Sequence, residues 1–221
     1  MVDIIGVEKK YGRKTVLRDV SFSCEKGSET AILGKNGSGK TTLFSILTGM
    51  TSGKGQFLLD GEDLMKNRRL RSQKVGFVPQ SPPLIPELTG KDNLSLWYSK
   101  RDMERSLCDG VLALLGVGDF YRTPVHKMSG GMKKRLAIGC AVSHSPSVLL
   151  LDEPSAALDI VCRERIEEYL CTFRKGGGTV ILSTHDYLEL DSCDDLFVLR
   201  DGTVTLYDGD RTLSALAGLL G

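Results

Sequence analysis

The sequence predicts an α/β protein with a mostly parallel sheet, and three observations carry that expectation. Residues 34–41 form a glycine-rich loop between an apolar strand and an amphipathic helix. Residues 148–151 are four consecutive apolar residues, which fits a strand buried on both faces. From Ser147 onward, strand and helix patterns alternate, as parallel strands joined by crossover helices require.

The elements follow in order. Residues 3–7 and 30–33 are short apolar runs, and 56–60 ends in an Asp60-Gly61 turn, so the N-terminal third reads mostly as strand. A helix is expected after Gly39, with Leu43, Phe44, Ile46 and Leu47 at helical spacing. Residues 75–78 read as a strand. Four of the seven prolines then fall within residues 79–86, which excludes a helix interior or central strand and predicts an exposed structured loop. A helical stretch is expected from Thr89 to His144. The remaining expectations are strands at 148–151, 179–182 and 196–199, helices at 159–173 and 186–190, and an Asp201-Gly202 hairpin leading into 204–207. The whole chain, 1–221, is expected to be one domain, an α/β core with a helical lobe inserted at about 81–145.

Composition excludes several classes. The 221 residues suffice for a full core without disulfides or metals. With 29 basic and 28 acidic residues the net charge is +1, so binding nucleic acid through bulk charge is not expected. No apolar run approaches a membrane span, and Asp3 and Glu8 interrupt the apolar N-terminus, so no signal peptide is expected either. The expected location is the cytosol. The six cysteines show no C-x-x-C pair or zinc spacing and read as small buried hydrophobes. His126 and His144 stand alone in local sequence and read as structural.

Gly34-Lys35-Asn36-Gly37-Ser38-Gly39-Lys40-Thr41 matches G-x-x-x-x-G-K-[ST]. Glycines allow positive φ and aim successive N–H groups at phosphates. The helix that begins near Gly39 adds its positive dipole end. Lys40 is placed to reach β- and γ-phosphates, and Thr41 to ligate Mg²⁺. The loop alone does not choose between a kinase, a GTPase and an ATPase. Asp152 and Glu153 follow the apolar run at a carboxyl strand end, where open α/β sheets bind ligands. Asp152 is expected to hold Mg²⁺, and Glu153 to orient or deprotonate an attacking water. Ser129-Gly130-Gly131 opens a helix with basic residues Lys133, Lys134 and Arg135, making a second anion-binding helix start 23 residues before Asp152.

In this order and spacing, the residues resemble the nucleotide-binding domain of ATP-binding cassette (ABC) transporters, from Tyr11 to the Leu206 region. The resemblance implies a P-loop NTPase core with an N-terminal antiparallel β part and a helical insertion lobe. It implies that Tyr11 stacks on adenine and that Gly34, Asn36, Gly37, Ser38, Gly39, Lys40, Thr41 and Thr42 bind ATP. Gln80 is implied as the Q-loop glutamine near Mg²⁺, and Ser129, Gly130 and Gly131 as the signature motif. Glu153 is implied as the catalytic glutamate, Ser155 to Asp159 as the D-loop, and His185 as the switch histidine.

Met132 stands where the signature most often has Gln, and Ala156 replaces the hydroxyl residue common in the D-loop. Met at this position resembles subfamilies that serve exporter-type permeases. The implied protein is an ATPase, with ATP and Mg²⁺, that works with a second nucleotide-binding domain, identical or not. It would drive transport, in the export direction, through a separate membrane-spanning permease subunit, peripheral on the cytoplasmic face of the membrane. A nucleotide kinase or GTPase would leave Ser129-Gly130-Gly131, Asp152-Glu153 and His185 without a task. A soluble ABC-type ATPase of repair or translation is the alternative; such proteins usually carry coiled coils, zinc modules or a second cassette.

Overall fold

A computed structural model describes residues 1–156 and 158–219. Ala157, inside the expected D-loop stretch, and residues 220–221 lie outside the described residues.

Two sheets and one helix build the part of the molecule that carries the glycine-rich loop. β1 (Val2–Tyr11), β2 (Lys14–Cys24), β4 (Lys54–Leu59) and β5 (Glu62–Asp63) form an antiparallel sheet in the order β2-β1-β4-β5. Asp60 and Gly61, both at positive φ, make the turn between β4 and β5 that the sequence predicts. A second sheet has the order β10-β9-β3-β8-β7-β6, from β3 (Glu29–Leu33), β6 (Val75–Val78), β7 (Val148–Asp152), β8 (Thr179–Ser183), β9 (Asp195–Arg200) and β10 (Thr203–Leu206). Its strands run parallel except β10, which pairs antiparallel with β9 across the Asp201-Gly202 turn.

Successive side chains of the central strands point to opposite faces, and both faces are covered. Ile32, Leu150 and Ile181 meet α1 (Lys40–Leu47) and the antiparallel sheet, where Phe44 and Phe57 are fully buried. Leu33, Leu149, Leu151 and Leu182 face the other way, into the core formed with α6 (Gly130–Ala141) and α7 (Ile160–Lys175). This double burial explains the unbroken apolar runs.

Between β6 and β7 the chain is helical but not one helix. α3 (Gly90–Leu94), α4 (Lys100–Asp109) and α5 (Val111–Leu114) precede α6. Thr89 and Ser99 cap α3 and α4, Gly110 separates α4 from α5, Gly116 turns at φ +60, and Pro124 leads into a short 3-10 turn. The proline-rich loop is held by Asn93, 2% exposed, whose amide bonds both backbone groups of Ile85 and the carbonyl of Thr89. α2 (Arg68–Lys74) has no buried residue and so no apolar stripe by which the sequence could announce it. α8 (Tyr187–Ser192) and α9 (Leu213–Leu219) complete the described elements. Of the cysteines, Cys24, Cys140, Cys162 and Cys193 are buried, but Cys108 is exposed and Cys171 half-buried, so the expectation of six buried thiols is corrected for those two.

Glu29, on the central strand β3, has a side chain 1% exposed. Burial, then the Glu167 carboxylate, push its carboxyl up to about 7, against the opposing pull of Arg174. Arg174 Nε lies 3.5 Å away without the alignment of a hydrogen bond. The folded chain therefore holds this proton more tightly than the unfolded chain, and Glu29 favours folding most at low pH. Its contribution should shrink as pH rises from about 4.5 towards about 7. Denaturant midpoints across that window should fall less steeply for Glu29→Gln than for the wild type.

Candidate functional site

The site forms where β3, β7 and β8 end side by side. Gly39 adopts φ +115 at the start of α1, and a Cβ there would stand 2.9 Å from Leu17 Cδ2, so both backbone and packing require glycine. The cleft over the loop, about 420 Å³, is walled by Asn36, Gly37, Gly39, Lys40, Thr41 and Thr42, by Val16 from β2, and by Gln80 and Glu153. Another cavity, about 480 Å³, opens at the amino ends of β7 and β8. Val111, Leu114, Tyr169 and Phe173 give it an apolar wall, and it lies at the opposite end of the sheet from the glycine-rich loop.

Lys40 is 6% exposed and donates to the carbonyls of Gly34 and Lys35, while its Nζ lies 3.2 Å from His185 Nε2. Burial lowers its proton affinity, and the carboxylates of Glu153 and Asp152 hold it up. Burial and then the Lys40 ammonium push His185 below the ordinary histidine range, so the ring is neutral at neutral pH and its Nε2 accepts from Lys40. Thr41 Oγ1 donates to Asp152 Oδ2 at 2.8 Å, and Ser183 Oγ donates to Asp152 Oδ1. Gln80 Nε2 donates to Glu153 Oε2 at 2.7 Å, and His185 Nε2 stands 3.6 Å from Glu153 Oε1. Glu153 itself sits at φ +48, a costly region for a side-chain-bearing residue, and its N–H is held by the Ser183 carbonyl at 2.9 Å.

Residues 80, 153 and 185 thus meet the loop, as the sequence reading expects. Tyr11 does not wall this cleft: it lies at the end of β1, half exposed, with Lys9 Nζ 4.9 Å from its ring centre. Ser129, Gly130 and Gly131 do not wall it either. Ser129 is exposed and caps α6, accepting from Met132 N at 3.2 Å. Sequence reasoning missed Val16, Ser183 and, most of all, Lys134. The basic run 133–135 looks like a solvated helix face, yet Gly131, Lys134 and Ile138 share helical spacing and are all buried.

Cofactor fit can be tested on the loop. Ser38 Oγ, inside the loop beside Gly34, is buried with no hydrogen-bond partner, an orphan polar atom of the kind a bound ligand can satisfy. Thr41 and Asp152 offer hard oxygen donors, suited to an ion that takes its other ligands from phosphates and water.

Residues 17–156 match the ABC transporter family. The lantibiotic transport ATP-binding protein SrtF of Streptococcus pyogenes is 33% identical over 98% of this chain and 95% of its own length. The linearmycin resistance ATP-binding protein LnrL of Bacillus subtilis (strain 168) is 33% identical over 91% of this chain and 67% of its own. Among solved structures, an ATP-binding subunit of an ABC transporter superimposes with TM-score 0.83 at 26% identity, over 100% of this chain and 95% of that one. A dimeric ATP-binding cassette in a post-hydrolysis state with ADP and Pi superimposes with TM-score 0.80 at 27% identity, over 95% and 100%. The chain belongs to the ABC transporter family, has the fold of its ATPase cassettes, and is an ATP-binding subunit that hydrolyses ATP.

The helix tip offers a steric contrast. A Cβ on Gly131 would lie 2.3 Å from Cys162 Sγ, whereas one on Gly130 meets nothing within 4 Å. In thermal or denaturant unfolding, Gly131→Ala should cost about 1–3 kcal/mol, as overpacking does. Gly130→Ala should be neutral or slightly stabilising, since alanine is the better helix former.

Proposed function

We propose that this protein is the ATP-driven engine of an export system, in which two cassettes clasp ATP between them and act on a separate membrane-spanning partner. The observation that carries the reading is the contact cluster that joins Lys40 to His185, Thr41 to Asp152, and Gln80 and His185 to Glu153 beside the glycine-rich loop.

In this reading Lys40 leaves His185 for the β- and γ-phosphates, joined by the backbone donors of residues 36–42 and by Ser38 Oγ. Tyr11 supplies a face for adenine. Thr41 and Asp152 would hold Mg²⁺, with Gln80 reaching it through water; the ion would offset phosphate charge as it builds. Glu153 orients a water and takes its proton as the water oxygen attacks the γ-phosphorus. The bond to the β–γ bridging oxygen breaks, and ADP and phosphate leave. His185 contacts the γ-phosphate and senses its departure. Gln80 and Lys40 hold Glu153 and His185 near these positions beforehand, which limits reorganisation during the reaction.

One chain leaves the outer side of the triphosphate wet. The Ser129-Gly130-Gly131 tip of a second copy would complete the donor shell and exclude water, strengthening each contact. Exposure of Ser129 and Gly130 supports this reading. Closure would then pull on the proline-rich loop and the helices after it. There Ile85, Leu96 and Trp97 are exposed, an apolar surface of the kind a partner covers. No helix among the described residues is long and apolar enough to cross a membrane, so a spanning partner has to supply the path. Relatives named for Nod factor export support the direction. The protein would sit on the cytoplasmic face, where ATP is.

Glu153→Gln keeps shape and removes the base. Steady-state phosphate release should fall by far more than about tenfold, that is more than about 1.4 kcal/mol of barrier, with ATP affinity retained in equilibrium binding. Turnover within tenfold of wild type would reject Glu153 as the catalytic base.

A further inference from the structure

Lys134 is a buried cation that the reaction above leaves without a task. It lies on α6, five residues after Ser129, and is 5% exposed. Its Nζ is 3.4 Å from the carbonyl oxygen of Pro79, 3.3 Å from that of Gln80, 3.5 Å from that of Asp152 and 3.2 Å from that of Glu153. These carbonyls belong to two segments, the loop leaving β6 and the end of β7. An ammonium has three N–H donors, so four carbonyls share them and the charge acts as a point to which both segments turn their dipoles. Burial disfavours the charge, and the Asp152 and Glu153 carboxylates sustain it. Helix packing alone does not account for it. The neighbouring Arg135 goes elsewhere, donating to the Leu115 carbonyl at 2.9 Å and lying over the Phe120 ring.

We infer that Lys134 is a positioning residue that ties the Ser129 helix tip to Gln80 and Glu153 of the same chain, so that the two ATP sites of the paired cassettes are coupled through it. The inference rests on the reading that the tip covers ATP held by a second copy. A tip that shifts when its partner's nucleotide changes would then carry its own chain's Gln80 and Glu153 with it. No contiguous pathway is needed beyond one side chain: α6 holds the tip at one end and Lys134 reaches the catalytic pair from the next turn.

The test uses the full chain with Lys134→Met, which keeps length and removes the donors, and Lys134→Gln, which restores two donors. For Lys134→Met, kcat should fall about tenfold or more while KM for ATP stays within about threefold. The Hill coefficient for ATP should drop from above about 1 in wild type to about 1. Lys134→Gln should recover part of both. Amide exchange without nucleotide should quicken together at Gln80 and Ser81 and at Glu153, Ser155 and Ala156 of the Met variant, and if that variant does not fold, the Gln variant should show the same pattern in weaker form. Unchanged kcat and Hill coefficient in a folded Met variant, equal losses in Met and Gln, or faster exchange confined to α6 would each overturn the inference. Failure of the shared-site reading looks different: the wild type itself would be non-cooperative, with a rate linear in protein concentration, and the exchange arm would still decide whether Lys134 holds the two segments.

Discussion

The structure depends on one buried positive charge at the carboxyl edge of a parallel sheet. Lys40 sits under the phosphate loop with two backbone carbonyls, a neutral histidine and two carboxylates around it. That arrangement exists because β3 pairs with β8, and β8 with β7, all in the same direction. Their ends therefore meet at one level, and residues 40, 152, 153 and 185, distant in the chain, become neighbours. A buried charge of this kind is costly unless it is matched. Here the match is two backbone carbonyls, His185 and two nearby carboxylates, and in the proposed reading a triphosphate takes the place of His185.

Glu153 shows how the fold spends stability at the site. Its φ of +48 is disfavoured, and it is held by Ser183 from β8, Gln80 from the proline-rich loop and Lys134 from α6. Ser183 and Lys134 hold the strained backbone of Glu153, and Gln80 alone of the three bonds its carboxylate. The chain that carries this residue belongs to the ABC transporter family.

Sequence made the central strands legible because burial on both faces leaves unbroken apolar runs at 148–151 and 180–182. The phosphate loop was legible because its spacing is local and each residue type has its own chemical reason. β2 was hidden: Leu17, Val20, Phe22 and Cys24 are buried, but Asp19 at φ +50 and shifts of register break the period of two. The stretch 89–144 is legible as helical because apolar residues recur throughout it, while the breaks before Ser129 depend on Gly110, Gly116 and Pro124 taking up particular backbone angles. Lys134 could not be read from local pattern, since its partners lie between 18 and 55 residues away in the chain.

In the proposed reading a second copy closes a phosphate grip that one chain leaves open, and sedimentation of the wild-type chain at saturating ATP, with magnesium chelated to prevent turnover, tests that reading most directly. The account predicts a two-chain species carrying two nucleotides with ATP and a single-chain species with ADP. A single chain fully occupied by ATP, at concentrations where hydrolysis runs at its full rate, would contradict it.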